Sequence, residues 1–141
     1  MGKIPRPSVP YNSARIPKPP IQVDGILKFS FKNLDLTSNS KFGIHRCKEG
    51  YFQKLLERLR DLSCMKDSEF RTARSSSLKI HKIDWSTTSE KGGFTSLNDQ
   101  LRSLEAWQFE ITRNEHGRVH GFLLGDTFFI IWVDPDHQLY E

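Results

Sequence analysis

Three apolar strand patterns separated by two turns occupy the last third of the chain, and this feature constrains the fold most. The patterns run over Trp107–Ile111, Arg118–Leu124 and Thr127–Val133. Gly125-Asp126 suits a two-residue hairpin turn, because glycine readily adopts the positive φ that such turns require. The sequence therefore predicts a three-stranded antiparallel meander at the C-terminal end.

The turns also set the register of the predicted meander, since a hairpin pairs residues symmetrically about its loop. The pairs about Gly125-Asp126 are Leu124–Thr127, Phe122–Phe129, His120–Ile131 and Arg118–Val133. If residues 114–117 form a four-residue loop, the pairs about it are Arg113–Arg118, Ile111–His120, Phe109–Phe122 and Trp107–Leu124. Both hairpins together define two faces of the sheet.

One predicted face is a core face made of Trp107, Phe109, Ile111, Phe122, Leu124, Phe129, Ile131 and Val133. A helix between Gly50 and Ser63 is its natural cover, because apolar residues recur there at helical spacing. Those residues are Phe52, Leu55, Leu56, Leu59 and Leu62. The other face is apolar near the last strand, so the tail or a partner is expected to cover that part.

The rest of the chain predicts an α+β domain whose helices pack on one face of an antiparallel sheet. A half-buried strand is expected between Ile26 and Leu36, a second helix over Asp67–Arg74, and a short strand or ordered loop over Lys79–Trp85. Ser96–Asp99 resembles a capping box that leads into a short helix. Residues 1–22 contain six of the seven prolines, which predicts an extended tail before one domain over residues 23–141.

Charge is distributed unevenly along the chain, although the formal net charge is only +4. Residues 1–22 hold four basic residues and no acid, and residues 23–40 balance. Residues 41–82 hold eleven Lys or Arg against five Asp or Glu, a net +6, and residues 83–141 hold four against ten, a net −6. A basic middle and an acidic end indicate an anionic partner for one face, with two solvated basic helix faces as the alternative.

Strand ends bring four side chains with acid-base or phosphate-binding chemistry to one end of the sheet. Arg118 and His120 open the second strand of the meander, and His137 and Tyr140 follow the third. Because neighbouring antiparallel strands meet at their turns and ends, we expect these four residues to lie close together, at the end of the predicted core face. Two simpler interpretations stay open: Arg118 pairs with a nearby aspartate, and His120 is a histidine at the core edge.

The chain resembles the RelE/ParE-like toxin superfamily of bacterial toxin–antitoxin modules. Three motifs carry the resemblance: Trp107-Gln-Phe109-Glu-Ile111, Arg118-Val-His120, and Phe129-Ile-Ile-Trp-Val followed by His137-Gln-Leu-Tyr140. The resemblance implies a β-α-α-β-β-β order, with a helical hairpin on a small antiparallel sheet. The Pro-rich tail and the stretch 84–104 are longer than a minimal member of this superfamily needs.

By this resemblance, the expected function is a toxin that cleaves mRNA on the ribosome and is neutralised by an antitoxin protein. In such a reaction a ribose 2′-OH attacks the adjacent phosphate, which requires a base, an acid and a cation. Arg118 would contact the phosphate, and His137 would be the acid or base, because histidine titrates near neutrality. Tyr140 would stack a base or hold a proton donor, and His120 would assist.

RNA-binding residues are expected on the basic segments around this site: Lys79, His81, Arg58, Arg60 and Arg113. This route needs no cofactor, and Asp134, Asp136, His137 and His120 match no recognised metal-site spacing. Cys47 and Cys64 fit neither a disulfide framework nor a CxxC motif, and no apolar run approaches the roughly 18 residues of a membrane span. A reduced, cytoplasmic setting without membrane contact is therefore expected.

Two other functions are compatible with the sequence. The ParE-like branch of the superfamily inhibits DNA gyrase, so a non-catalytic binding protein could act through the basic helices. A phage or mobile-element accessory protein could instead use the tail to bind a partner.

Overall fold

A five-stranded sheet organises the computed structural model, which describes residues 25–37, 41–73, 79–113 and 115–140. Its strands are β1 (Lys28–Ser30), β2 (His81–Lys82), β3 (Ala106–Glu110), β4 (Arg118–Leu124) and β5 (Thr127–Asp134). Its helices are α1 (Tyr51–Leu62), α2 (Asp67–Thr72) and α3 (Asp99–Arg102). The predicted α+β class is thus confirmed, whereas the predicted tail, residues 1–22, lies outside the described residues.

The strand order across the sheet is β1-β5-β4-β3-β2. The strands β2 to β5 pair antiparallel as predicted, but β1 pairs parallel with β5, so the sheet is mixed rather than antiparallel. The short helix α3 lies between β2 and β3, where Asn98 caps it by accepting a hydrogen bond from Leu101 N at 2.9 Å. The element order is therefore β-α-α-β-α-β-β-β.

The β4–β5 hairpin keeps the predicted register only near its turn. Leu124 pairs with Thr127 and Phe122 with Phe129, as expected, but a bulge then shifts the register at His120/Gly121. A Cβ atom at Gly121 would lie 2.0 Å from the Phe129 carbonyl oxygen, so glycine permits this close approach. Beyond the bulge His120 pairs with Trp132 and Arg118 with Asp134, so the predicted partners of these two residues are wrong.

The β3–β4 hairpin also differs from the predicted register, because its loop is longer than residues 114–117. Glu110 pairs with Arg118 and Phe109 with Val119, instead of Phe109 with Phe122. Within the loop, Thr112 Oγ1 accepts a hydrogen bond from His116 N at 3.1 Å, which closes a wider turn. An odd shift in register exchanges the two faces of a strand. Phe122 consequently points away from the helices rather than towards them.

One face of the sheet, the helix-covered face, packs against α1 and α2. Its buried core contains Leu27, Tyr51, Leu55, Leu59, Leu62, Phe70, Trp107, Phe109, Ile111, Val119, Leu123, Phe128, Ile130 and Val133. The prediction that α1 covers the sheet with Leu55, Leu59 and Leu62 is confirmed. Phe52 and Leu56 were predicted to share that role, but they are 48% and 64% exposed because Tyr51 fills the first position of a narrower buried stripe.

The opposite face, the second face, is covered by residues from 83–104 together with Phe42 and Leu139. Its core contains Phe42, Ile83, Phe94, Leu97, Ala106, Phe122, Ile131, Trp132 and Leu139. Trp132 stacks on Phe42 at 4.3 Å between ring centroids and contacts Phe94 edge-on at 4.9 Å. The described chain therefore provides a cover that the sequence assigned to the tail or to a partner.

Candidate functional site

Four side chains line a small pocket, the arginine pocket, at one end of the second face. They are Arg118, Asp134, His137 and Tyr140, around a volume of about 130 Å³. Arg118 opens β4 and Asp134 ends β5, and the two residues are cross-strand partners. The structure thus brings together three of the four predicted catalytic residues, but on the second face and not at the end of the helix-covered face.

Two backbone conformations next to the strand ends shape this pocket. Gly117, immediately before Arg118, has φ +79° and approaches β5 so closely that a Cβ atom would lie 2.0 Å from the Asp134 carbonyl oxygen. His137 also adopts a left-handed conformation, with φ +55°, in the turn after β5. That turn folds the chain back so that His137 and Tyr140 line the same pocket as Arg118.

Asp134 holds the returning C-terminal segment in place. Its carboxylate accepts hydrogen bonds from Gln138 N at 2.7 Å, from Leu139 N at 3.1 Å and from His120 Nε2 at 3.0 Å. Burial alone would raise the pKa of Asp134, but these three donors outweigh burial and lower the pKa below its ordinary value of 3.8. Asp134 is therefore an ionised anchor whose carboxylate oxygens are already engaged by three hydrogen-bond donors.

His120 lies behind the pocket rather than in it. The side chain is completely buried, and burial lowers its pKa, although the hydrogen bond to Asp134 opposes that effect. Because an ionised carboxylate only accepts hydrogen bonds, Nε2 of the neutral imidazole carries the proton and Nδ1 is an acceptor. His120 thus supports Asp134 and does not line the pocket, which corrects its predicted position.

Arg118 is held by a glutamate that the predicted register misplaced. Its Nη2 atom lies 3.4 Å from Oε2 of Glu110, whose side chain is fully buried, while 21% of the Arg118 side chain is exposed. Asp134 lines the same pocket, but Arg118 forms its ion pair with Glu110, so neither Asp134 nor Asp136 is its partner. Correct pairing of Glu110 with Arg118 would have revealed this contact from sequence.

Arg118 retains capacity to bind a ligand. Its buried Nε atom has no hydrogen-bond partner among the described residues, and neither has Oε1 of Glu110. A guanidinium offers five N–H donors in a planar fork that matches two phosphate oxygens. One edge of this fork is oriented by Glu110, which leaves donors for a bound anion.

Tyr140 lines the same pocket as Arg118 and is half-buried. Burial is the main reason that its pKa is raised above 10.0, so its hydroxyl is protonated at neutral pH. The ring lies 6.0 Å from that of His81, which is exposed on β2. His81 is therefore next to Tyr140 but does not itself line the pocket. The exposed Lys79 precedes His81 by two residues, with φ +46°.

The other predicted RNA-binding residues lie elsewhere. Arg58 Nε donates to the Ile111 carbonyl oxygen at 2.9 Å, so this residue closes the helix-covered face. Arg60 is exposed on α1 and pairs with Asp61 at 3.2 Å. Arg113 is exposed in the β3–β4 loop, and its predicted pairing with Arg118 is wrong. None of these three side chains lines the arginine pocket.

No group of three or more His, Cys, Asp or Glu side chains in the described ranges is arranged to hold a metal ion. Within the same part of the chain, no helix has both the length and the apolar character to cross a bilayer.

Comparisons with protein-family models, with curated protein sequences and with solved structures found no significant match.

Proposed function

We propose that the chain is a metal-independent endoribonuclease of the toxin type, which cleaves mRNA on the ribosome at the arginine pocket. The observation that supports this proposal is the placement of Arg118, His137 and Tyr140 around one pocket. Phosphodiester transesterification requires a base, an acid and a cation, and an imidazole, a protonated phenol and a fixed guanidinium can fill these roles. The ribosome and an antitoxin partner enter the proposal through the resemblance to RelE/ParE-like toxins.

In the proposed reaction a ribose 2′-oxygen attacks the adjacent phosphorus while the bond from phosphorus to the 5′-oxygen breaks. His137 takes the proton of the 2′-hydroxyl, and the leaving 5′-oxygen receives a proton from Tyr140 or from water. The products are a 2′,3′-cyclic phosphate and a 5′-hydroxyl end. Arg118 donates to the non-bridging oxygens and stabilises the negative charge that grows on them in the transition state.

The acidic groups around the pocket do not prevent anion binding in this proposal. The Asp134 carboxylate is engaged by two backbone N–H groups and His120. Glu110 is fully buried and contacts a single edge of the Arg118 guanidinium. Both carboxylates therefore act as positioning groups: Glu110 orients Arg118, and Asp134 fixes the turn that carries His137.

The proposal is tested by RNA cleavage and by growth arrest on induction of the gene in bacteria. Arg118→Lys keeps a positive charge opposite Glu110 but loses the planar fork, and His137→Gln removes the titratable group. We expect each variant to cleave at least about a hundredfold more slowly, since a positioned acid or base contributes roughly 10²–10⁴ in rate and a donor to the developing charge roughly 10²–10³. His45→Gln changes an exposed histidine outside the pocket and is the matched control.

Mapping of the cut sites completes the test. Wild-type protein should leave 2′,3′-cyclic phosphate ends on mRNA, and cleavage should require the ribose 2′-hydroxyl. If Arg118→Lys and His137→Gln both arrest growth and cut mRNA as wild type does, the assignment of the active site is wrong.

A non-catalytic binding protein is the second candidate, and one observation favours it. Phe52 and Leu56 lie one turn apart on α1 and are 48% and 64% exposed, and the exposed Arg60 follows Leu56 one turn later. Such a mixed apolar and basic helix face is typical of a surface that binds a macromolecule. Under this alternative, Arg60→Glu abolishes activity while His137→Gln has no effect, which is the reverse of the outcome expected for the nuclease.

A further inference from the structure

A second pocket, the tryptophan pocket, lies in the segment that is longer than the toxin resemblance requires. It is lined by Trp85, Lys91, the Gly92–Gly93 pair, Asp99 and Arg102, around a volume of about 300 Å³. This volume is at the lower end of the range for small-molecule sites. Its walls combine one large aromatic ring with two cations and one carboxylate.

Backbone carbonyl groups fix both cations of this pocket. Lys91 Nζ donates to the carbonyl oxygens of Ser86 at 2.9 Å and of Thr88 at 3.2 Å. Arg102 Nη2 donates to the Gly92 carbonyl oxygen at 3.0 Å, and Nη1 pairs with Asp99 at 3.2 Å. These bonds position the charges without neutralising Lys91, because carbonyl groups carry no net charge.

Trp85 is the aromatic wall of the pocket and is only partly buried. Its ring contacts Phe94 at 4.8 Å and Trp132 at 6.1 Å, and both contacts are edge-to-face rather than stacked. Gly93 has φ +75°, and a Cβ atom there would lie 3.3 Å from the indole, so a glycine keeps the loop close to the ring. Trp107 and Trp132 are both 4% exposed, which makes Trp85 the most accessible of the three tryptophans.

The two pockets are joined by the short segment around Trp85. The carbonyl oxygens of Leu139 and Gln138 accept hydrogen bonds from Ser89 N at 2.7 Å and from Ser89 Oγ at 2.8 Å. Tyr140 of the arginine pocket interacts with Asp84, which precedes the 3₁₀ turn Trp85–Thr87, and with Thr87, which ends it. One strand of nucleic acid could therefore contact both pockets in sequence.

The distribution of charged residues also favours an anion that contacts both pockets. Residues 83–141 contain only four Lys or Arg, against ten Asp or Glu. Two of the four, Lys91 and Arg102, line the tryptophan pocket, and a third, Arg118, lines the arginine pocket. An acidic segment that places its few cations in two neighbouring pockets is suited to an anion that occupies both.

We infer that the tryptophan pocket binds one nucleotide of a single-stranded RNA next to the phosphate that is cleaved at the arginine pocket. The base stacks on Trp85, and the phosphate of that nucleotide contacts Lys91 and Arg102. Stacking on an aromatic ring accepts every base, so this site would add affinity with little sequence preference. The inference rests on the nuclease function proposed above and adds a substrate-binding site to it.

The test measures binding without cleavage. A fluorescently labelled RNA oligonucleotide with 2′-O-methyl riboses cannot undergo the proposed reaction, and its dissociation constant follows from fluorescence anisotropy at fixed salt. We expect Trp85→Leu to weaken binding roughly five- to a hundredfold, the effect of losing one stacked base. Trp85→Phe, which keeps a stacking ring, should retain most of the affinity.

Charge variants provide the second arm of the same experiment. Arg102→Gln should weaken binding about tenfold, and its salt dependence should decrease, because one phosphate contact is lost. Lys32→Gln removes one exposed positive charge outside both pockets and is the matched control, expected to bind as wild type does. Near-UV circular dichroism and thermal melting show whether each variant is folded.

The possible outcomes separate this site from the nuclease proposal. Unchanged binding by folded Trp85→Leu and Arg102→Gln would overturn the nucleotide site and leave the arginine pocket to be judged by cleavage. RNA that binds in a Trp85-dependent manner but is never cleaved would support the nucleotide site and refute the nuclease. If adenosine monophosphate alone binds as tightly as the oligonucleotide, the strand-binding site is overturned in favour of a free nucleotide.

Discussion

The two faces of the sheet bury side chains of different kinds. The helix-covered face is lined by aliphatic and aromatic residues from α1, α2 and four strands. The second face, with the segment that covers it, contains the buried polar or charged residues of the described chain: Thr88, Gln108, Glu110, His120 and Asp134. Every proposed catalytic group also lies at the second face.

The difference between the faces is physical as well as compositional. Burial of apolar surface is non-directional and contributes roughly 25 cal/mol per Å². A buried polar group contributes only if its hydrogen bonds are made, and costs about 1–3 kcal/mol if they are not. The helix-covered face can therefore provide stability without specific geometry, whereas the second face depends on individual bonds that also fix the arginine pocket.

The largest expected loss of stability comes from a substitution in the helix-covered face. Phe109 is fully buried and contacts the rings of Phe29, Phe70 and Phe128 at 6.3, 6.2 and 5.3 Å. Phe109→Ala should lower the free energy of unfolding by about 3–5 kcal/mol, because it removes apolar contact and leaves a cavity. Urea denaturation measures the change. Phe52→Ala, at a position that is 48% exposed, should cost less than about 1 kcal/mol.

The next largest loss of stability is expected when Asp134, the anchor of the second face, is replaced. In Asp134→Asn an uncharged amide replaces the carboxylate that accepts hydrogen bonds from His120, Gln138 and Leu139. The NH₂ group of the amide would then face one of these three donors and could not accept its hydrogen bond. We expect a loss of about 2–3 kcal/mol in urea unfolding. Asp136→Asn makes the same chemical change in the exposed turn, where the ion pair with Arg46 is 3.7 Å long. A surface pair contributes about 0–1 kcal/mol, so equal losses would contradict the anchoring role of Asp134.

The contrast between the faces also explains which parts of the structure the sequence could predict. Two buried patterns are predicted correctly from the sequence: the stripe Leu55, Leu59 and Leu62 of α1, and the alternation of Trp107, Phe109 and Ile111. Apolar periodicity indicates directly which side of a helix or strand is buried. The α+β class followed from these patterns. Each of them depends on local spacing and needs no knowledge of which strands pair.

Features that depend on long-range register were not predictable in the same way. The wide loop closed by Thr112 shifts the pairing of β3 with β4 by an odd number of positions, which exchanges the faces of β4. The bulge at Gly121 shifts the pairing of β4 with β5 by one position. Arg118, His137 and Tyr140 were expected together because they lie at strand ends, and the one-residue shift of the Arg118 partner from Val133 to Asp134 keeps Arg118 at that end. Their contacts with Glu110 and Asp134 depend on the true register, and pairing of β1 parallel to β5 has no signal in an alternating pattern.

The pH dependence of stability sharpens the comparison further, because only the second face buries a histidine. The pKa of His120 is lowered from 6.5 chiefly by burial, so the unfolded chain binds a proton there that the folded chain does not. The stabilisation is therefore complete above about pH 6.5 and decreases as the pH falls below it. We expect a slope of up to about 1.4 kcal/mol per pH unit, measured as the urea unfolding free energy.

His120→Gln isolates this contribution, since glutamine keeps an N–H donor for Asp134 but does not titrate. Between pH 6.5 and 5 the variant should show a clearly flatter profile than wild type. Exposed His45 is the control, and His45→Gln should leave the slope unchanged. A wild-type slope that survives in His120→Gln would assign the proton uptake to another group.

The smallest expected effect concerns Gln108, and it tests whether polar burial on the second face always stabilises. Gln108 is completely buried between His81 on β2 and His120 on β4, yet neither atom of its amide has a hydrogen-bond partner among the described residues. An unpaired buried amide costs free energy, so Gln108→Met, which is unbranched and of similar size, should raise the urea unfolding free energy by about 1 kcal/mol. A loss of similar size would mean that the amide is hydrogen-bonded in solution, and that the polar network beneath the arginine pocket includes Gln108 as well as Glu110 of β3.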